Sequence, residues 1–261
     1  MIFSSRHLRD SLVFYPGLLL YAGMSLLWIA AAMLLYPILP EDLGRTVGRF
    51  GICWGWRIYF GIMTRCSAFR FDTRELDTLR NEAPLLLVAN HPSLLDAVII
   101  ASRLPNLVCI MRAGVSQNLL LGAGAHLARY IRNDSGHGMV KQAIGELRRG
   151  AQLLIFPEGT RTIGTTVNRF KGGAALIARH AGVPIQTLVI ETDSRFLGKG
   201  WSPFRIPRLP IRLRIRLGPR FQPPQDPTAF LATLEAFYAD ELAGQGSRRH
   251  PGQPDLFHKN G

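Results

Sequence analysis

An α/β fold, a mostly parallel sheet flanked by helices behind an N-terminal membrane-embedded helical hairpin, is the architecture this sequence predicts. Three observations carry the prediction. From residue 70 onward, short apolar runs of strand length alternate with helical stretches, as in a parallel sheet covered on its faces. Ser11 to Pro40 contains no charged side chain. Two polar turns, Asn90–Asp96 and Phe156–Thr162, each follow an apolar run, where open α/β sheets place their ligand crevices. The chain divides accordingly into residues 1–69, the membrane-associated helices, residues 70–243, the α/β domain, and residues 244–261, a polar tail expected to be disordered.

Within the first part, Pro16-Gly17 and Pro37 bracket the best helical segment. Its length, about 19 residues or roughly 28 Å, is close to the hydrocarbon thickness of a bilayer. That core is too long for a cleavable signal peptide, although Ala30-Ala31-Ala32 resembles a cleavage site. A second apolar segment, Phe50 to Met63, holds Trp54, Trp56 and Tyr59 but also Arg57 near its middle. An arginine is costly at the bilayer centre, whereas tryptophan and tyrosine favour the interface. Arg6 and Arg9 precede the pair, Arg65 and Arg70 follow it, and Arg45 and Arg49 lie between. If basic residues stay on the cytoplasmic side, two helices dipping into one leaflet fit better than a single span. The α/β domain is then expected on the cytoplasmic face of the membrane.

In the second part, Leu85–Ala89, Leu107–Met111, Leu153–Phe156 and Ile185–Ile190 read as buried strands, and Tyr130–Arg132 as a further short one. Leu94–Arg103, about Ser116–Ala128, Met139–Arg149 and Gly173–Ala181 read as the helices between them. Ile211 to Leu217 alternates strictly between aliphatic residues and arginine. That pattern suits a solvated edge strand that blocks edge pairing, or a cationic strip facing a membrane or a phosphorylated partner. Trp201–Pro210 reads as a loop and Pro227–Leu242 as a last amphipathic helix.

The 261 residues carry a net charge of +13, almost all of it arginine, with lysine only at 141, 171, 199 and 259. Such a balance suits phosphate groups, an anionic membrane or an acidic carrier protein. Nucleic acid shares that charge preference, but the arginines are scattered through strands and loops, with no basic recognition helix and no RNA-binding sheet signature. No nucleic-acid partner is expected. Cys53, Cys66 and Cys109 include no C-x-x-C pair, and the histidines form no ligand-spaced cluster. Neither a disulfide framework nor a metal site is expected.

The chemistry resides in the two turns. His91 sits in the first, and Asp96, five residues on, falls in the first turn of the following helix. A carboxylate bonded to one ring nitrogen fixes the tautomer and leaves the other nitrogen as a base. Ser93 and Asp96 equally fit a helix N-cap with an acid three residues later, a reading that needs no chemistry. In the second turn Gly159 permits close approach of a ligand, Thr160 offers a hydroxyl, and Arg161 presents a fork suited to phosphate oxygens. Lys171 and the glycines after it open a helix, where free N–H groups favour anions.

Together, Asn90–Asp96, with its histidine, four residues and aspartate, and Phe156–Arg161, Phe-Pro-Glu-Gly-Thr-Arg, resemble the PlsC-like glycerolipid acyltransferases, the lysophosphatidic acid acyltransferase family. The likeness runs over about residues 70–220. Val183-Pro184-Ile185 resembles the family's fourth block, and the helical hairpin resembles its N-terminal pair. The second block departs: Arg132 stands at the arginine, but Arg129 replaces an aromatic and His126-Leu127 a glycine. Thr187 stands where many members have a second proline.

The resemblance implies acyl transfer from a thioester, on coenzyme A or acyl carrier protein, to a lysophospholipid hydroxyl, with 1-acyl-glycerol-3-phosphate the expected acceptor and no cofactor. His91 is then the base and Asp96 its orienting partner. Arg161, with Thr160 and the Gly159 backbone, binds the acceptor phosphate. Glu158 positions that arginine or a substrate hydroxyl, Arg132 and Lys171 are further candidates for the anion, and Asn90 supports the turn or the oxyanion. Because the second block helps hold the acceptor, its departures leave room for a lyso-ornithine lipid or glycolipid precursor. A lipid thioesterase or hydrolase keeps the same site with water as acceptor.

Overall fold

The computed structural model describes residues 5–112, 119–133, 136–162, 167–202 and 204–248. Two long helices come first, α1 (Ser5–Leu35) and α2 (Glu41–Arg65). There follow β1 (Phe69–Asp72), a 3₁₀ turn (Arg74–Leu79), β2 (Leu85–Ala89), α3 (Leu95–Ala101), β3 (Leu107–Arg112) and α4 (Leu119–Leu127). Then come β4 (Ile131–Asn133), α5 (Gly136–Arg148), β5 (Gln152–Ile155), α6 (Gly173–Ala181), β6 (Ile185–Thr192), β7 (Ile211–Phe221) and α7 (Pro227–Arg248). The strands form one sheet in the order β1-β7-β6-β2-β5-β3-β4. Every neighbouring pair is parallel except β6 and β7.

Strand β2 shows why the sheet is buried on both faces. Leu85, Leu87 and Ala89 point into one core with Ile99 and Ile100 of α3 and Phe60 of α2. Leu86 and Val88 point into the other with Leu147 of α5, Ile177 of α6 and Tyr238 of α7. An apolar residue at every position of one strand is therefore what two covered faces require. Strand β1 has no such run: its exposed Arg70 and half-buried Asp72 left it invisible in the sequence.

The two leading helices differ from expectation in extent. Helix α1 begins before Pro16 and passes through it, although proline removes one backbone hydrogen bond. The turns upstream are held by tertiary contacts: Phe14 packs edge-on against Phe196, ring centroids 5.9 Å apart, and the Leu209 amide donates to buried Asp10 at 3.4 Å. Along its length α1 is long and apolar enough to cross a membrane and is mostly uncovered by the rest of the chain. Leu19, Leu27 and Leu34 on α1, with Phe50, Trp54 and Ile58 on α2, are exposed apolar residues of this pair.

Two of the arginines counted as the basic flank between the helices do not face a membrane. Arg49 is buried and donates to Glu146 of α5 at 2.5 Å and to Asn106 at 2.8 Å, and Arg45 donates to the same carboxylate at 3.1 Å. Glu146 is itself buried, and a buried charge is stable only when paired. The start of α2 is thus bolted to the α/β domain. Glycines allow the approach: a Cβ on Gly48 would lie 2.4 Å from the Ala128 nitrogen, and one on Gly51 2.1 Å from the Trp28 ring.

Strand β7 is no solvated edge, since β1 and β6 flank it. Nor are its arginines a free cationic strip. Arg214 pairs with Asp72 at 3.5 Å, Arg216 with Glu191 at 3.0 Å and also with Glu241, and Arg220 with Glu82 at 2.5 Å. Acids scattered through the sequence converge there to neutralise the face. Helix α7 runs on to Arg248, beyond both Leu242 and Gly244; the rest of the expected tail, 249–261, lies outside the described residues, as does Ser116.

Candidate active site

The turn after β2 carries His91 into the space above the carboxyl edge of the sheet. Its Nδ1 lies 2.9 Å from Oδ2 of Asp96, and the same oxygen accepts the Ser93 amide at 2.8 Å. The capping contact and the imidazole contact thus coexist on one carboxylate. Asp96 is fully buried, and burial pushes its carboxyl above the ordinary value, against the opposing effects of His91 and the Ser93 amide. The imidazole is stacked on Phe156, centroids 3.9 Å apart and planes 15° from parallel. Ring plane and tautomer are both set, and Nε2 remains for chemistry.

The turn after β5 is joined to the first by Thr162. Its amide donates to the His91 carbonyl at 2.7 Å, and its hydroxyl accepts the His91 amide at 2.9 Å and donates to Glu158. The other oxygen of Glu158 accepts the backbone amide of Asn168 at 2.9 Å and its side-chain amide at 2.5 Å. Both carboxylate oxygens are therefore engaged and the residue is buried, so Glu158 positions Thr162 rather than Arg161 or a substrate hydroxyl. Gly159 adopts φ +64°, and a Cβ there would meet the Lys171 side chain at 2.9 Å. The left-handed backbone favours glycine there, and the lysine end occupies the space a Cβ would take.

Arg161 lines the cavity but already has work. Its Nη1 donates to the carbonyls of Leu197 at 2.9 Å and Gly198 at 2.8 Å. The same loop after β6 is held by the first turn, because Ser93 Oγ donates to the Phe196 carbonyl at 2.8 Å and the Leu94 amide to Leu197 at 3.2 Å. One guanidinium nitrogen clamps the loop, leaving the others for a ligand.

A cavity of about 1920 Å³ joins these parts. It is larger than the ~300–1,000 Å³ typical of a pocket for one small ligand. His91, Gly159, Thr160, Arg161 and Lys171 line its polar centre, together with Lys199 of the clamped loop. An apolar arm passes Val98 of α3 and runs towards Trp28 and Tyr59 of the leading helices. No Asp or Glu lies among the described lining residues.

Asn90 and Arg132 are not brought to this centre. The Asn90 amide donates to the Ile190 carbonyl at 2.9 Å and accepts the Ile190 amide at 2.8 Å, a reciprocal pair that fastens β2 to β6. Buried and outside the cavity lining, it supports the turn and does not reach an oxyanion. Arg132 lies exposed on the edge strand β4 and is not among the lining residues, whereas Tyr130 and Asn133 are. Cys109 does line the cavity, but burial pushes its thiol up to about 12, so it is no nucleophile at neutral pH.

Comparison with known proteins bears on what this geometry is for. The family model described as Acyltransferase matches residues 70–191. Lyso-ornithine lipid O-acyltransferase of Pseudomonas aeruginosa is 36% identical over 143 residues, 53% of this chain and 55% of that protein. Human 1-acyl-sn-glycerol-3-phosphate acyltransferase beta is 30% identical over 198 residues, 70% of this chain and 66% of that protein. The chain belongs to the PlsC-like acyltransferase family. The crystal structure of PlsC, the 1-acyl-sn-glycerophosphate acyltransferase of Thermotoga maritima, shares its fold at a TM-score of 0.70 and 16% identity, covering 94% of this chain and all of that one. The matches to the first two relatives span about half and about two thirds of their lengths.

Within this PlsC-like framework, sequence reading overlooked three features. Thr162 joins the two blocks through backbone bonds that no local pattern announces. The loop of residues 193–201 follows β6 with no distinctive composition, yet supplies Lys199. The spacing Gly44, Gly48, Gly51 along α2 was a readable signal of close packing on that face.

Proposed function

We propose that the chain transfers an acyl group from a thioester, on coenzyme A or acyl carrier protein, to the hydroxyl of a membrane lysolipid, with 1-acyl-glycerol-3-phosphate as acceptor. The observation that carries this reading is the His91–Asp96 contact of 2.9 Å opening on a cavity that is basic at its centre and apolar along one arm. His91 Nε2 takes the hydroxyl proton as the oxygen attacks the thioester carbonyl. Asp96 accepts the Nδ1–H bond and stabilises the imidazolium. Collapse of the tetrahedral intermediate expels the thiolate, which receives the proton back from His91. Arg161 and Lys171 bind the acceptor phosphate, and lipid tails enter from the exposed apolar helices, seated at the cytoplasmic face of the membrane. The residues supply base, orientation and anion binding, and the reaction draws on no further cofactor.

Removal of a general base lowers the rate by about 10²–10⁴-fold. His91→Ala protein that melts like the parent should lose transfer by that factor; near-normal transfer by it would end the assignment. A second acceptor reading, a lyso-ornithine lipid, is favoured by the 36% identity to the Pseudomonas aeruginosa enzyme. Purified protein offered labelled thioesters with both lysolipids, the products being separated by mass, decides between them.

A further inference from the structure

The backbone that leaves β6 is gripped at the reaction centre, where Ser93 and Arg161 donate to the carbonyls of Phe196, Leu197 and Gly198. The same loop rests on the first turns of α1. The Phe196 ring packs edge-on against Phe14 and Trp201, centroids 5.9 and 5.8 Å apart, and the Leu209 amide donates to buried Asp10. Residues 201–210 are two-sided. Trp201, Ile206 and Leu209 pack on the core, whereas Phe204, Arg205 and Arg208 are exposed. Phe204 is 76% exposed, more than any other large apolar side chain of the described residues, and it lies outside the helical pair that holds most of the others. The arginines are unlike those of β7, where Arg214, Arg216 and Arg220 face carboxylates. Among the described residues Arg195, Arg205 and Arg208 form no ion pair; Arg205 instead lies over the Trp201 ring at 4.8 Å. Asp193 is the one acid of residues 193–210, and it accepts the Arg212 amide at 3.3 Å. The adjoining turns of α1 expose Leu8 and Leu12 beside Arg6 and Arg9.

We infer that residues 201–210 form a second membrane contact, in which Phe204 enters an anionic leaflet at headgroup depth and Arg205 and Arg208 meet lipid phosphates. In water the ring stays unburied and the two charges unmatched. At a bilayer surface the ring reaches the acyl boundary while the guanidinium groups remain among the headgroups. The loop is fastened to α1, whose apolar length is itself mostly uncovered, and this continuity favours a lipid surface over a protein one. The inference rests on the seating of the leading helices in the membrane, not on the acyl-transfer chemistry. Its consequence is positional. Because Ser93 and Arg161 grip the same loop, docking Phe204 sets the height of the reaction centre relative to the acyl chains.

Quenching of a fluorophore by nitroxide-labelled lipid tests this on the full chain, reconstituted in vesicles of phosphatidylglycerol and phosphatidylcholine. Cys53 and Cys109 are buried and Cys66 is exposed, so Cys66→Ser gives a background for single labels. Labels go on Ser202→Cys in the loop, Leu19→Cys on α1 and Thr233→Cys on α7, which packs on the opposite face of the sheet. Ser202 and Leu19 labels should be quenched and the Thr233 label should not. Adding Phe204→Ser should abolish most quenching at 202 and leave that at 19 unchanged. Each arginine near an anionic surface favours docking about fivefold, so Arg205→Gln with Arg208→Gln should lower quenching at 202 in these vesicles and have no effect in pure phosphatidylcholine. Quenching at 19 with none at 202 overturns the loop contact alone, and its absence at both overturns the seating of the helices as well. Quenching at 202 that ignores Phe204 and both arginines also overturns the contact. So does a change at 202 in detergent that depends on protein concentration, since the face then joins two copies of the chain. Transfer to lysolipid in detergent by Phe204→Ser should equal the parent's; an equal loss there and in vesicles assigns Phe204 to the folded core and ends the proposal.

Discussion

The turns after β2 and β5 look alike in sequence: each is polar, each follows a buried strand, and the strands are parallel neighbours. They are not alike in use. The first turn sends an imidazole into the cavity and backs it with a buried carboxylate. The second turns Glu158 and Thr162 inward, where they hold the His91 backbone, while Gly159, Thr160 and Arg161 line the cavity beside Phe156 and Pro157. One turn presents the reacting group and the other chiefly fixes its position. A polar residue beside a cavity is not thereby a ligand; its hydrogen bonds decide what it has left to offer.

The comparison can be broken most severely at Asp96. Asp96→Asn should lower transfer by about 10⁴-fold, because an amide no longer enforces the tautomer. Stability should move differently. Burial raises the Asp96 carboxyl in the folded chain, so ionising it opposes folding. That cost is absent below the ordinary carboxylate range and sets in as pH rises from there through the raised folded value. Asn escapes it, so the stability of the variant relative to the parent should grow with pH across that window. Denaturant titrations at several pH values read the sign, and a difference that shrinks with rising pH would contradict it.

The second turn should respond less. Thr162→Val removes the hydroxyl that accepts the His91 amide and takes the donor from one oxygen of Glu158, so kcat should fall about ten- to a hundredfold through misplacement of the base, with lysolipid KM little changed. Thr162→Ser should restore most of the rate. A large KM effect instead would make Thr162 a binding residue and erase the contrast between the turns. Arg161→Lys comes next. A lysine offers a point charge where the arginine both clamps a loop and faces the ligand, so lysolipid KM should rise by about tenfold with a smaller change in kcat. The smallest effect belongs to β7. Arg214→Gln, in a partly exposed pair, should cost at most about 1 kcal/mol of stability and leave transfer untouched.

Much of the α/β frame was legible because its elements are written locally. Leu85–Ala89 and Gly173–Ala181 have the bounds that apolar periodicity assigns, since two covered faces demand an unbroken apolar strand and one covered face demands a helical stripe. Strand β1 was not legible, because four residues with two charged side chains become a strand only when β7 is there to pair with them. The arginines of β7 were read as a choice between solvent and partner, while their counter-charges come from β1, the 3₁₀ turn, β6 and α7. Arg45 and Arg49 were assigned by position along a hairpin, although a single buried glutamate far along the chain sets their direction.

The residue order alone determined which side chains lie near the site: His91 with Asp96 five residues away, and a glycine, a threonine and an arginine in a second turn. Their spacing is short enough for local geometry to set. Only the tertiary structure decided how each is spent. Asn90, Glu158 and part of Arg161 are taken up by backbone groups of distant segments, because a buried polar atom must find a partner wherever the fold brings one.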